Sequence, residues 1–227
     1  MEHYDNTVVI TADRCGSTAF IESTKKPANV NQTTQINLGE CFSQDYEINP
    51  RYPFGPRSQN YDPRPKFWNE QTYNPHQVID AINIGTGKSV ILKCLITWVN
   101  FNDSYFDIKA KRKIFLHRNM FDSTLSRCVA HKTTQWHNAT NRTRHNIPED
   151  FFISKLEWRI IKYNEYLHQI LHWSNETVLY EEYQFGENGT VKKNPDKMDI
   201  VINYDNLKEI YDSYSMIINS IEEQILN

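Results

Sequence analysis

The chain has no long hydrophobic run and no excess of basic residues. A transmembrane helix needs about 20 consecutive apolar residues, and no segment approaches that length. The formal net charge is −3, so no overall positive field is available to attract nucleic acid. The polar segment 1–7 leads directly into a strand, which predicts no signal or transit peptide. These absences favour a cytoplasmic protein without a membrane span or a nucleic-acid partner.

Cysteine is also scarce. The chain has only four: Cys15, Cys41, Cys94 and Cys128. Dispersed cysteines without Cys-x-x-Cys spacing are typical of reduced, partly buried thiols. His168 and His172 lie four residues apart on a predicted helix, but no third ligand is evident in the sequence. The sequence therefore predicts no metal site.

Strand patterns alternate with helical patterns along the chain. The predicted strands are Val8–Thr11, Ile36–Leu38, Val90–Leu95, Ile114–His117 and Thr177–Glu181. The predicted helices are Ser17–Ser23, His76–Ile84, Asn119–Trp136, Pro148–Trp173 and Tyr204–Ile225. This alternation predicts a three-layer α/β fold, with a mostly parallel central sheet flanked by helices on both faces. One domain over residues 1–227 is the simplest expectation for this length.

Residues 48–66 form a proline-rich stretch that is too interrupted for regular structure. The stretch also carries arginines and aromatic residues. A loop of this length inside a compact domain is usually functional or disordered. We interpret it as part of a substrate pocket or as a lid, and a solvated insertion is the alternative.

The first segment with chemical content follows the predicted strand Val8–Thr11. Gly16 lets backbone N–H groups approach an anion closely. Ser17 and Thr18 fit the start of a helix, whose unpaired N–H groups and dipole favour a phosphate. Arg14 adds a permanent charge with planar donors. The segment therefore predicts an anion site, and a strand–turn–helix with an ordinary serine cap is the alternative.

The second segment begins with the short apolar run Ile114–Leu116, which is typical of a central parallel strand. Arg118 follows where this strand leaves the sheet, at the carboxyl edge where open α/β sheets bind ligands. From Asn119 the pattern becomes helical, and Ser126 lies two turns along that helix. Ser126 can therefore face the arginine. The alternative is an exposed arginine with a solvent-facing serine.

Together the two segments resemble the PAPS-dependent sulfotransferases. These enzymes move a sulfuryl group from 3′-phosphoadenosine 5′-phosphosulfate (PAPS) to a hydroxyl or an amine. Their 5′-phosphosulfate loop follows the first strand as Arg/Lys-x-Gly-Ser/Thr-Thr, and Arg14–Thr18 has this form. Their 3′-phosphate motif is an arginine at a strand end with a serine eight positions on, like Arg118 and Ser126. Outside these segments the likeness is limited to scattered local matches.

The resemblance implies a P-loop-like nucleotide-binding topology and a role for each matching residue. Arg14 would contact the 5′ phosphosulfate and stabilise charge on the bridging oxygen. The loop residues Cys15–Thr18 would hold the 5′ phosphate. Arg118 and Ser126 would bind the 3′ phosphate, which distinguishes PAPS from ATP. Catalysis would rest on in-line positioning and electrostatic stabilisation, without a metal.

Two residues depart from the family pattern. Asp13 stands where a proline is common before the basic residue, and Cys15 replaces a frequent serine. Both lie in the loop assigned to the 5′ phosphate, so both bear on nucleotide binding and on activity.

Two further residues are candidates for catalysis. Glu40 follows Gly39 at a predicted strand end, which is a form that the family uses for its base, and a surface glutamate is the alternative. Lys93 lies inside the apolar strand Val90–Leu95, where an unpaired charge is costly to bury. Some sulfotransferases place a lysine on a comparable strand to steady the transferring group. A lysine that reaches solvent from a sheet edge is the alternative.

Two later segments have a family counterpart. Lys192 and Lys193 lie in the basic, glycine-containing segment 189–195, which resembles the loop that covers the nucleotide. An ordinary solvated turn is the alternative. Tyr180 belongs to a strand ending similar to the family's Tyr-Glu-Asp, where we expect it to support the site.

The sequence thus predicts an enzyme, a PAPS-dependent sulfotransferase. Its acceptor would be a hydroxyl or an amine on a small molecule, a glycan or a lipid. A catalytically silent nucleotide-binding module and an ATP-dependent phosphotransferase of related fold are the alternatives. Arg118 and Ser126 argue against the phosphotransferase, because ATP has no 3′ phosphate.

Overall fold

The computed structural model describes residues 6–24, 36–39, 79–80, 83, 90–97, 101–133, 144–182 and 200–226. The strands are β1 (Thr7–Thr11), β2 (Ile36–Gly39), β3 (Val90–Leu95), β4 (Arg112–His117) and β5 (Glu176–Leu179). The α-helices are α1 (Ser17–Thr24), α2 (Met120–Thr133), α3 (Glu149–Trp173), α4 (Tyr204–Ser213) and α5 (Ser215–Leu226). A 3₁₀ helix covers Asp103–Asp107.

The five strands form one sheet in the order β2-β3-β1-β4-β5, and each neighbouring pair is parallel. All five residues of β1 are buried, as expected for the centre of a sheet that is covered on both faces. Helices separate β1 from β2 and β4 from β5 along the chain, as parallel pairing requires. The prediction of an α/β fold with a parallel sheet is confirmed.

Helices flank both faces of the sheet. Val8 and Ile10 point to the larger core, which residues of α2, α3, α4 and α5 complete. Val9 points the other way and packs with Phe20 and Ile21 of α1. Successive side chains of a strand alternate between faces, so the β-branched run in β1 supplies both cores.

Helices α2 and α3 begin close to their predicted positions. Asn119 caps α2, because its side-chain oxygen accepts a hydrogen bond from the Asp122 N–H at 3.1 Å. The predicted C-terminal end of this helix at Trp136 lies outside the described residues. Helix α3 begins at Glu149, directly after Pro148, and ends at Trp173. Proline at the helix start and acidic residues in the first turn account for this boundary.

The single helix predicted over Tyr204–Ile225 is wrong. The structure has two helices there, α4 and α5, which are separated at Tyr214. The Tyr214 N–H donates to the Tyr211 carbonyl at 3.0 Å, three residues back rather than four. Its hydroxyl donates to Glu157 of α3 at 2.8 Å. This local tightening and the tie to α3 interrupt a pattern that reads as continuous in the sequence.

Several predictions concern segments outside the described residues. The loop 48–66 is one of them, and so is most of the predicted helix His76–Ile84, whose described residues are helical. Within the described ranges, Cys15, Cys94 and Cys128 are buried and form no disulfide with one another. None of the helices described is long and apolar enough to cross a membrane.

Candidate functional site

The carboxyl ends of β1 and β4 form a topological switch point. From β1 the chain runs through α1 to β2 on one side, whereas from β4 it runs through α2 and α3 to β5 on the other. Connections that leave adjacent strands in opposite directions open a crevice between them, and α/β sheets bind ligands in such crevices. The two segments that the sequence singled out both end there.

The loop after β1 has an unusual backbone. Arg14 has a φ of 62° and Gly16 a φ of 74°. Both values are left-handed, which glycine adopts freely but which costs a residue with a Cβ about 1–2 kcal/mol. Strain of this kind persists only where surrounding contacts maintain it, and it is concentrated at functional sites. The Gly16 carbonyl then accepts from the Phe20 N–H at 3.0 Å and starts α1.

The close packing of the Tyr180 ring also requires glycine at position 16. A Cβ built on Gly16 would lie 2.0 Å from a ring carbon of Tyr180. The ring of Tyr180 therefore lies directly against the loop, where no larger residue than glycine fits. The same ring faces Arg118, whose guanidinium carbon lies 4.7 Å from the ring centroid. Tyr180 thus joins the two segments, which agrees with the supporting role expected for it.

The two sequence segments contact each other directly. The Nε of Arg14 donates to the Ser126 hydroxyl at 3.3 Å, and Nη1 of Arg118 donates to the Arg14 carbonyl at 3.2 Å. Along the chain, Arg14 is 112 positions from Ser126 and 104 positions from Arg118. The Arg14 guanidinium therefore lies beside the serine assigned to the 3′ phosphate. The arginine and serine of the second segment both reach the loop of the first.

Arg118 has donor capacity left over. Its Nε is buried and makes no hydrogen bond to any described residue, and the nearest carboxylate oxygen, from Glu181, is 3.9 Å away. Buried donors without a hydrogen bond are rare in folded proteins. A guanidinium edge that is held in place with an unused donor suits an oxyanion ligand.

His117, the residue before Arg118, fixes the end of β4. It is buried, with Nδ1 3.0 Å from the Tyr163 hydroxyl and Nε2 2.9 Å from a Glu222 carboxylate oxygen. Burial raises the pKa of Tyr163 well above its usual value, so this hydroxyl stays protonated. These contacts hold the end of β4 against α3 and α5. The backbone from which the Arg118 side chain extends is therefore held in position.

Lys93 lies inside the sheet, on β3 between β2 and β1. It is opposite Val9 in the register and only 7% exposed. The alternative of a lysine at a sheet edge is therefore wrong. Its Nζ donates to the Thr18 hydroxyl at 2.9 Å, in the first turn of α1. The lysine charge thus lies next to the helix start that the sequence assigned to a phosphate.

Asp13 is held between two arginines. Its carboxylate accepts from Nη2 of Arg159 at 2.9 Å, and its other oxygen lies 2.5 Å from Nη1 of Arg127. Arg159 is 1% exposed, so its charge depends on this partner. The acidic residue at position 13 therefore brings no uncompensated negative charge to the loop.

Cys15 points away from solvent. Its sulfur lies 4.0 Å from Nη1 of Arg159, and the residue is fully buried. Burial raises the pKa of the Cys15 thiol above its usual value, although Arg159 acts in the opposite direction. The thiol is therefore neutral and inert, and this residue contributes to the loop through its backbone.

Replacing Arg159 with methionine should lower the free energy of unfolding by about 3 kcal/mol, because a buried ion pair loses one partner while Asp13 keeps the other. Methionine fills most of the space, so the loss reports the charge and its hydrogen bonds. Urea unfolding followed by circular dichroism measures it. The matched control is Arg112→Met, which removes an exposed pair with Glu176 and should change stability by less than about 1 kcal/mol. Equal losses in the two variants would contradict this account of Arg159.

The sequence did not single out Arg127 and Arg159. Arg159 had a detectable signal, because it falls on the apolar stripe of α3 with Phe152, Leu156 and Tyr163. A charge at a core position of a helix predicts a buried partner. Nothing in the sequence identified that partner as Asp13, which lies 146 positions away.

The other predicted site residues fall in two groups. Arg14, Arg118 and Ser126 meet at the switch point, and Lys93 of β3 contacts Thr18 at the start of α1. Glu40, Lys192 and Lys193 lie outside the described residues. Within the part of the chain that the structure describes, no group of three or more His, Cys, Asp or Glu residues could hold a metal ion.

Comparison of the chain with protein-family models, with curated proteins and with solved structures gave no match.

Proposed function

We propose that the protein is a sulfotransferase that moves a sulfuryl group from PAPS to a hydroxyl or an amine of an acceptor. The observation that carries this proposal is the convergence of Arg14, Arg118 and Ser126 at the switch point between β1 and β4. The sequence assigned these residues to the two phosphate-bearing ends of one nucleotide. Their contact across the chain supports that assignment.

The residues present fit such a nucleotide. The unused, buried Nε of Arg118 and the Ser126 hydroxyl are donors for a 3′ phosphate. Gly16 and the start of α1 offer backbone N–H groups for the 5′ phosphate, and Lys93 adds a positive charge beside Thr18. The fold's parallel sheet with a loop after the central strand supports the proposed P-loop-like topology.

When bound, PAPS supplies a sulfuryl group, whose sulfur leaves the 5′-phosphate oxygen for the acceptor oxygen or nitrogen and yields 3′,5′-ADP. Lys93 and Arg14 would stabilise the negative charge that develops on the bridging oxygen. Arg118 and Ser126 would hold the far end of the nucleotide, which fixes the line of transfer. The Arg14–Ser126 hydrogen bond joins the residues assigned to the two ends.

Glu40 would accept the proton that the acceptor loses, as the general base. It directly follows Gly39, the last residue of β2. A pocket that excludes water would raise the pKa of this carboxyl and suit it to that task. Lys192 and Lys193 would close over the nucleotide, and the loop 48–66 would face the acceptor. A cytoplasmic location completes the proposal, and three buried cysteines that form no disulfide among the described residues support it.

Titration calorimetry with 3′,5′-ADP and 5′-AMP tests the proposal. We expect the protein to bind 3′,5′-ADP at least about a hundredfold more tightly, because a phosphate bound by arginine and serine adds about 3 kcal/mol. ATP, which has no 3′ phosphate, serves as a second comparison. Equal affinity for the three nucleotides, or no binding of any, would overturn the assignment.

A further inference from the structure

The Asp13 carboxylate links the loop after β1 to two helices. Arg127 belongs to α2 and Arg159 to α3: Arg159 donates a hydrogen bond to one carboxylate oxygen, and Arg127 forms an ion pair with the other. The side chain of Asp13 is 11% exposed and that of Arg159 is 2% exposed, so this link lies beneath the loop rather than on the surface. Because Asp13 directly precedes Arg14 in the chain, the link can act on Arg14 through the backbone.

The backbone of Asp13 is fixed as well. Its carbonyl accepts from Nη2 of Arg159 at 3.1 Å, and its N–H donates to the Thr97 hydroxyl at 3.2 Å. The carbonyl of Arg14, on the other side of this residue, accepts a hydrogen bond from Nη1 of Arg118. The peptide groups before and after Arg14 are therefore both held. This arrangement accounts for a left-handed φ at a residue that has a Cβ.

We propose that Asp13 is a positioning residue for the anion-binding loop, which it holds through Arg127 and Arg159. By keeping Arg14 in its left-handed conformation, Asp13 directs the Arg14 side chain toward Ser126 and aligns the N–H groups from Gly16 onward. A proline would fix this position through its ring, whereas Asp13 fixes it through an ion-pair network. The inference rests on the proposed function only in naming the anion as the nucleotide's phosphates.

Removing the charge of Asp13 tests the inference, because the direction in which the anion affinity changes distinguishes a positioning role from a simple effect of charge. The network holds two positive charges against one negative charge, so it is positive overall. Removing the negative charge alone strengthens the positive field at the loop, which favours anion binding. Loss of positioning has the opposite effect. The two roles of Asp13 therefore predict changes in affinity of opposite direction.

The experiment measures the affinity of wild type and Asp13→Asn for 3′,5′-ADP by calorimetry, well below each protein's unfolding midpoint. We expect Asp13→Asn to bind about tenfold more weakly, which corresponds to about 1.4 kcal/mol. A purely structural role would lower the midpoint and leave the affinity of the folded protein unchanged. Equal or tighter binding by the variant would therefore overturn the inference. Failure of the wild type to bind 3′,5′-ADP would overturn the proposed function instead.

A charge-matched variant keeps the test decisive if Asp13→Asn does not fold. The double variant Asp13→Asn/Arg127→Gln removes one charge of each sign, so the net charge of the network is unchanged. Arg159 can still donate to the carbonyl of residue 13 and to the asparagine oxygen. We expect this variant to lose affinity about tenfold as well. If the double variant bound with wild-type affinity, or if neither variant folded, the role of Asp13 would be to stabilise the core and not to position the loop.

Discussion

Arg118→Ala should abolish the preference for 3′,5′-ADP over 5′-AMP, with a loss of affinity for the first nucleotide that is about a hundredfold larger than the loss for the second. Charge-assisted hydrogen bonds contribute about 1.5–3 kcal/mol each, and a guanidinium can make two of them with a phosphate. The Nε of Arg118 makes no hydrogen bond to the described residues, so a phosphate that reaches it would displace no hydrogen bond to those residues. 5′-AMP lacks the group that this arginine is proposed to bind.

Two comparison variants separate this effect from a general loss of positive charge. Arg118→Lys keeps the charge but loses the planar pair of donors, so its affinity should be intermediate. Arg112→Ala removes an arginine from the opposite end of β4, where it pairs with Glu176, and should leave both nucleotides unaffected. If Arg118→Ala weakened 5′-AMP as much as 3′,5′-ADP, Arg118 would act on both nucleotides only by holding the loop through the Arg14 carbonyl, and it would not bind a 3′ phosphate.

Glu40→Gln should stop conversion of PAPS to 3′,5′-ADP, with a loss of at least about a hundredfold, and leave nucleotide binding intact. A general base contributes about 10²–10⁴-fold to such a step, and an amide of the same shape cannot accept the proton. Conversion is followed by chromatography of the nucleotides in the presence of a panel of alcohols, sugars, phenols and amines. The affinity for 3′,5′-ADP, measured on the same preparation, reports whether the site is intact.

Glu181→Gln is the matched control, because Glu181 is a carboxylate that the structure places beside the site. Its Oε1 accepts from the Asn119 N–H at 3.1 Å and lies 3.9 Å from Nε of Arg118. Conversion should survive this substitution. If Glu181→Gln and not Glu40→Gln stopped conversion, the base would be Glu181. A wild-type protein that binds 3′,5′-ADP but converts PAPS with none of the acceptors would be the catalytically silent module.

The sequence predicted the parts of the fold that depend on local patterns. The β-branched run of β1 and the apolar run of β4 each specify a buried strand, and the loops after them carry their own turn chemistry. Parallel strands then bring both carboxyl ends to one edge, so the meeting of Arg14 with Arg118 and Ser126 follows from the topology.

The parts that the sequence did not predict depend on distant contacts. Asp13 was recognised in the sequence only as a departure from the family pattern, because Arg127 and Arg159 reach it only after α2 and α3 have packed on the sheet. The separation of α4 from α5 likewise depends on Tyr214 meeting Glu157 of α3. The core position of Arg159 signals a buried partner without identifying it, and the contact of Tyr214 leaves no local pattern, so both contacts needed the three-dimensional arrangement.

The strand order also has a consequence for how the chain acquires its structure. The first strand in the chain, β1, is central in the sheet, and its partners are β3 and β4, with Thr7 opposite Ile91 and Arg112. A nascent chain therefore carries β1 with both edges unpaired until residues 90–95 have been synthesised, and with one edge unpaired until residues 112–117 follow. Pairings between such distant segments fold slowly, and exposed apolar strands aggregate during that interval. We therefore expect refolding yields to fall with rising protein concentration.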